Sequence, residues 1–140
     1  MIIADTGYWV ALFNRGDAHH QRAVAVSGEI RERLVTTWPV LTETAHLLAA
    51  RGHAGVSARF LERCFAGAVD IFELDVQARP RMLELMRRYA QLPMDLADAS
   101  LVVLAEKLGH GRILSTDRRD FESYRWKQHQ PFENLLLGQA

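Results

Sequence analysis

Short apolar runs alternate with longer stretches of helical period along this chain. The first run, Met1-Ile2-Ile3-Ala4, ends at Asp5 and predicts a strand over 2–5. Thr6-Gly7 then turns into a short helix carrying Tyr8, Trp9, Leu12 and Phe13. Asp17 has the chemistry of an N-cap for a helix over about 18–33. Leu34-Val35-Thr36-Thr37 has the size and β-branched content of a buried strand, and Trp38-Pro39 opens a helix over about 40–51 that Gly52 closes. Another helix is expected over 55–66, a strand over 69–74, and a helix capped by Asp75 that runs to about 91. Leu92-Pro93 breaks the chain before an Ala/Leu-rich helix over about 94–108 that stops at Gly109. Strands over 113–116 and 132–137 complete the pattern. This alternation predicts an α/β fold: a mainly parallel sheet with helices on both faces. Repeats, low-complexity tracts and linkers are absent, so residues 1–140 are expected to form one domain.

Composition narrows the class without naming a chemistry. With 49% hydrophobic and 24% charged residues, the 140-residue chain reads as an ordinary soluble domain. No apolar stretch approaches the roughly 20 residues that span a bilayer, and the N-terminus has no secretion-type pattern. A cytoplasmic location without membrane attachment is the expectation. Cys64 is the one cysteine and is expected to be a buried thiol. The formal net charge is +0, so any nucleic-acid site must be a local basic patch.

The candidate chemistry lies in four acids far apart in sequence: Asp5, Glu43, Asp98 and Asp117. Asp5 and Asp117 each end an apolar run, and in an open α/β sheet ligand chemistry collects beyond the carboxyl ends of the strands. On a helix, Asp98 has Leu101, Val102 and Ala105 at i+3, i+4 and i+7, so it belongs to the face that packs on the sheet. Asp95 neighbours it at i+3 spacing. Each acid also has a plain structural use. Asp5 could cap the first helix, Asp117 the turn it opens, and Asp95 and Asp98 could complement a helix dipole. Glu43 would lie in the first turn of a helix beginning near residue 40, where the dipole alone accounts for it. Together they are another matter. Two carboxylates about 4 Å apart repel by about 4 kcal/mol at an effective dielectric near 20. A cluster of them calls for protons or a hard divalent cation such as Mg²⁺ or Mn²⁺.

Four segments carry a resemblance: Ile3-Ala4-Asp5-Thr6-Gly7, Thr42-Glu43, Pro93-Met94-Asp95-Leu96-Ala97-Asp98-Ala99-Ser100, and Ile113-Leu114-Ser115-Thr116-Asp117-Arg118-Arg119-Asp120-Phe121. In this order and spread, the chain resembles the PIN-domain ribonucleases, and most of all the VapC-type toxins of type II toxin–antitoxin pairs. The resemblance implies a three-layer α/β/α sandwich and a Mg²⁺- or Mn²⁺-dependent endoribonuclease. Asp5 and Asp98 would be the principal metal ligands, with Glu43 and Asp117 the other two catalytic acids. Thr6 and Thr116 would border the pocket, and Asp95 would support it. The partners it implies are an RNA substrate, a cognate antitoxin protein that inserts into the groove, and a second copy in a homodimer. An RNA-processing nuclease of the same family, without an antitoxin, is the alternative.

Arg112, Arg118, Arg119, Arg125 and Lys127 surround Asp117 with Tyr124 and Trp126 interleaved. This reads either as an RNA-facing edge or as a solvated loop with two core aromatics. A receiver-type signalling domain wants a second acid at the first strand and a Lys after a late one. Here Asp5 stands alone and Arg118 follows Asp117. A haloacid-dehalogenase-like phosphatase wants Asp-x-Asp, and Gly7 holds the second place.

Overall fold

The computed structural model describes residues 1–52 and 54–138. Its centre is β1 (Ile2–Ala4), whose three residues are all buried. A strand covered by helices on both faces has no wet side, so it reads as an uninterrupted apolar run. β1 pairs in parallel with β2 (Leu34–Thr37) on one side and with β4 (Arg112–Leu114) on the other. β3 (Asp70–Phe72) and β7 (Glu133–Asn134) form the edges, giving five parallel strands in the order β3-β2-β1-β4-β7.

From β1 the chain steps outward through α1 (Thr6–Phe13) and α2 (His20–Glu29) to β2. It continues through α3 (Trp38–Arg51) and α4 (Ala54–Arg63) to β3. α5 (Ala78–Arg88) and α6 (Leu96–Leu108) then carry it back to β4 on the far side of β1. The strand order therefore reverses between β1 and β4, and a doubly wound sheet opens its crevice at that reversal. The layers are the α/β/α arrangement expected from the sequence. α6 packs on β1 and β2, α5 on α6, and α1 on α2 and α3. No helix among the described residues is long and apolar enough to cross a membrane.

Several boundaries differ from the pattern for local reasons. α3 begins at Trp38, two residues early, because Pro39 falls in its first turn, where a missing N–H costs nothing. α2 starts at His20, and Asp17 instead accepts the His19 N–H in a tight turn. It stops at Glu29, where Ile30 takes up an extended backbone (φ −70°, ψ 133°) that leads toward β2. α4 runs into a wide π-type turn over Cys64–Ala68, with Gly67 at φ 107°. The last strand is two residues long, since the Asn134 side chain accepts the Leu136 N–H at 3.0 Å and turns the chain. Two elements had no signal in the sequence: α7 (Arg118–Ser123) and an antiparallel ribbon of β5 (Arg125–Trp126) with β6 (Gln130–Pro131).

One contact couples the two halves of the crevice. A Cβ on Gly7, at the start of α1, would lie 1.9 Å from Thr116 Oγ1 and 3.1 Å from its Cβ. Only glycine lets α1 and the loop after β4 approach this closely. Gly7→Ala is expected to lower stability by about 1–3 kcal/mol through overpacking. Adding Thr116→Ala should recover much of that loss, as the two sites touch. Urea midpoints of the two single variants and the double variant check this, and strictly additive losses would contradict it.

Candidate active site

Asp5 leaves β1 directly into the crevice and is 5% exposed. Its Oδ1 accepts the Thr6 N–H at 2.7 Å, making Asp5 the N-cap of α1. Its Oδ2 accepts the Ser115 hydroxyl at 2.8 Å. Ser115 Oγ in turn accepts the Asp117 N–H at 2.9 Å, so one buried hydroxyl joins the ends of β1 and β4. Asn134 of β7 steadies that hydroxyl's backbone by donating from Nδ2 to the Ser115 carbonyl at 2.9 Å.

Asp98 is the third residue of α6 and Asp95 is its N-cap. The Asp98 N–H donates to Asp95 Oδ1 at 2.8 Å, and the Asp95 N–H to Asp98 Oδ2 at 3.4 Å, a reciprocal capping pair. Leu101, Val102 and Ala105 on the same face are fully buried, which draws Asp98 inward while Asp95 stays exposed. Tyr124 Oη donates to Asp98 Oδ2 at 3.0 Å and fixes its direction. Asp117 caps α7 by accepting the Asp120 N–H at 3.2 Å. Glu43 lies in the second turn of α3, not the first, because that helix begins at Trp38. The dipole of the first turn therefore does not account for it.

The structure brings Asp5, Glu43, Asp98 and Asp117 to one open cavity of about 380 Å³, together with Thr6, Asp95 and Thr116. Asp17, Asp120, Arg51 and Arg119 also line it. The RNA-edge candidates separate. Arg119 is at the cavity, donating from Nε to Asp120 at 3.2 Å. Arg118 donates to the Leu137 carbonyl and lies outside the lining. Arg112 must be corrected: it begins β4, at the opposite end of the sheet, and is paired with Glu32. Tyr124 is wholly buried against Phe121 and Tyr89, so it holds Asp98 and cannot stack on a base. Ser115, Asp120 and Arg51 were not singled out from sequence, and Tyr124 was read only as an aromatic of the basic edge, RNA-facing or core. Ser115 and Asp120 lie inside the segment 113–121, and Asp120 is three residues from Asp117, which was the available signal. Nothing in the sequence tied Tyr124 to Asp98, because the two lie on different elements.

Electrostatics at this site are dominated by lost hydration. Burial pushes Asp5 up to about 7, only partly offset by the donors Ser115 and Thr6, and Asp117 and Glu43 raise it further. Burial pushes Asp98 up to about 8, with Asp5 and Asp95 adding repulsion. Asp117 is raised to about 6 by burial and by Asp120, and Glu43 is raised chiefly by burial. A cation would reverse this penalty. Among the described residues no group of three acids encloses an ion unaided. The donors are hard oxygens, no His or Cys among the described residues lines the cavity, and the Thr6 side chain hydrogen-bonds Glu43 and partly offsets the effect of its burial. That set fits Mg²⁺ or Mn²⁺, which keep waters and take one or two carboxylates, better than zinc.

Folded-state carboxyls raised above about 4 hold protons that the unfolded chain has already released. Their contribution to stability is then greatest below about pH 4 and falls as pH rises toward 8. The metal-free protein is expected to lose urea resistance between pH 5 and pH 8. Asp98→Asn should flatten that slope and stabilise the metal-free protein at pH 8 by on the order of 1–2 kcal/mol. Parallel pH profiles for the wild type and the variant would contradict the electrostatic account.

Comparison with known proteins agrees with the fold and with the family the sequence resembles. The PIN domain model matches residues 2–127. The chain is 25% identical over 124 residues to ribonuclease VapC26 of Mycobacterium tuberculosis, covering 89% of this chain and 92% of that one. The crystal structure of Mycobacterium tuberculosis VapC20, titled a sarcin-ricin loop cleaving toxin, superposes with a TM-score of 0.83 at 23% identity. That superposition covers 94% of this chain and 100% of VapC20. Matched over nearly its whole length and carrying the same α/β/α architecture, the chain belongs to the PIN-domain family.

Proposed function

We propose that this protein is a Mg²⁺- or Mn²⁺-dependent endoribonuclease and the toxin of a type II toxin–antitoxin pair. The observation that carries the reading is the convergence of desolvated carboxylates from β1, α3, α6 and the end of β4 in one open cavity. Similarity to a protein named a ribonuclease and to one titled a toxin supports RNA as substrate and a protein antitoxin as partner. In this reading Asp5 and Asp98 hold the metal, and Glu43 and Asp117 complete the acidic set directly or through water. Asp120 lines the cavity next to Asp117, to which its N–H donates. When bound, the metal would supply the chemistry of an activated water and of charge neutralisation at the phosphodiester. Ser115 aims Asp5 and Tyr124 aims Asp98, each by donating a hydrogen bond to one carboxylate oxygen. Arg119 and Arg51 give the cavity rim positive charge for phosphate. The homodimer and the cytoplasmic location belong to the same proposal.

EDTA is expected to stop cleavage of RNA, and added Mg²⁺ or Mn²⁺ to restore it. Cleavage that survives rigorous metal removal would rule the mechanism out. Asp98→Asn should lose more than about 100-fold in activity while keeping its fold. Asp95→Asn should retain substantial activity, since Asn is as good an N-cap as Asp. Equal losses in the two variants would make Asp95 a full member of the site.

Tyr124→Phe removes one donor to Asp98 and leaves the aromatic packing in place. Removing such an orienting partner is expected to cost about 10–100-fold in metal affinity or activity. Titration of Mg²⁺ followed by thermal melting separates the two quantities, and unchanged affinity and rate would show that Asp98 needs no such support.

A further inference from the structure

Two large apolar side chains stand exposed beside the acids, Trp38 at 42% and Leu96 at 50%, and a third, Phe65 at 60%, lies near Trp38. Surface apolar residues are ordinarily scattered singly, and a cluster marks something that binds. The Trp38 and Phe65 rings lie 6.0 Å apart between centroids. Trp38 and Leu96 line an open, largely apolar cavity of about 620 Å³ with Pro39 and Ala97. Glu43 and Asp95 line both this cavity and the acidic one, so the two run into each other. The indole is held in place: Trp38 opens α3, and its Nε1 donates to Glu73 Oε1 at 2.9 Å.

The chemistry of the lining selects an occupant. Among the described residues it contains no Arg or Lys, and the two acids at its border repel phosphate. A sugar–phosphate backbone therefore gains nothing there, whereas an uncharged planar ring does. Aromatic faces hold splayed single-stranded bases in this way, tolerant of base identity, with nearby polar groups reading the base edge. His46 lines the same cavity on its exposed side and is placed to do that reading. Resting on the ribonuclease reading above, we infer that the Trp38 shelf is a stacking subsite for the base of a single-stranded nucleotide flanking the scissile phosphate. Trp38 is then a binding residue that sets where the strand lies across the acids.

The test uses the wild-type protein, Trp38→Ala and Trp38→Phe on one short single-stranded RNA cut by the wild type. Trp38→Ala is expected to raise KM about five- to hundredfold with kcat little changed. Trp38→Phe, which keeps an aromatic face, should recover most of that loss. An abasic nucleotide beside the cut should raise KM for the wild type and add little to Trp38→Ala. Unchanged KM in Trp38→Ala, or fully additive effects of the variant and the abasic site, would overturn the inference while leaving the ribonuclease reading intact. So would sedimentation showing that Trp38→Ala splits a dimer whose dissociation alone accounts for the change in KM. A wild-type protein that cuts no RNA in Mg²⁺ overturns both.

Discussion

Bringing Asp5, Glu43, Asp98 and Asp117 into one cleft sets like charge against like charge where water is scarce, and the rest of the structure is arranged around that strain. Left alone, such acids would swing apart into solvent or take up protons. Here each of three is held by donors. Asp5 receives the Thr6 N–H and the Ser115 hydroxyl, Asp98 receives the Tyr124 hydroxyl, and Asp117 receives the Asp120 N–H. The open N-termini of α1 and α6 add positive potential at the same place. These supports orient the carboxylates without cancelling the cost of burying them side by side, as the pKa of Asp5 and of Asp98, raised chiefly by lost hydration and further by neighbouring acids, records. A site so poised binds a cation strongly because the cation relieves a cost already built in.

Capping and chemistry are performed here by the same atoms. Asp5, Asp95 and Asp117 are each the N-cap of a helix, and Asp98 completes a capping pair. Choosing between a structural and a functional role for each acid therefore poses a false alternative. A helix that starts at the carboxyl end of a parallel strand needs an acceptor for its free N–H groups, and an acid there meets that need while facing the crevice. Ser115 extends the economy, since one hydroxyl serves both the β1 acid and the loop after β4.

The two ends of the sheet show what distinguishes this arrangement. At the amino ends of the strands, Arg112 pairs with Glu32 and Arg33 with Asp70, with much of each side chain in solvent. Such pairs contribute little, about 0–1 kcal/mol each, and leave no charge unanswered. At the carboxyl ends, acids outnumber cations along the cavity and Arg119 reaches only its rim. The neutral net charge of the chain hides this local excess of acids, because cations elsewhere on the chain offset it.

Much of this was legible from the residues in order. The apolar run Ile2-Ile3-Ala4 marked a strand covered on both faces, and the neighbours of Asp98 at helical spacing placed it on the packing face. Both are local periodicities, which a chain carries in its own sequence. Glu43 and Asp120 were harder: the first depended on where α3 starts, decided by Pro39, and the second on a short helix with no periodicity to announce it. Position at one end of the sheet or the other was invisible for Arg112, since proximity in sequence to Asp117 says nothing of the full strand length between them. Tyr124, Asn134 and Ser115 acquire their roles only when β4, β7 and α6 come together, because a hydrogen bond between distant segments leaves no trace in either. The sequence by itself thus determined the five strands of the parallel sheet and four of the acids that meet in the crevice. The tertiary structure decided which donors aim those acids and which cations reach them, because hydrogen bonding and desolvation depend on distances that only folding sets.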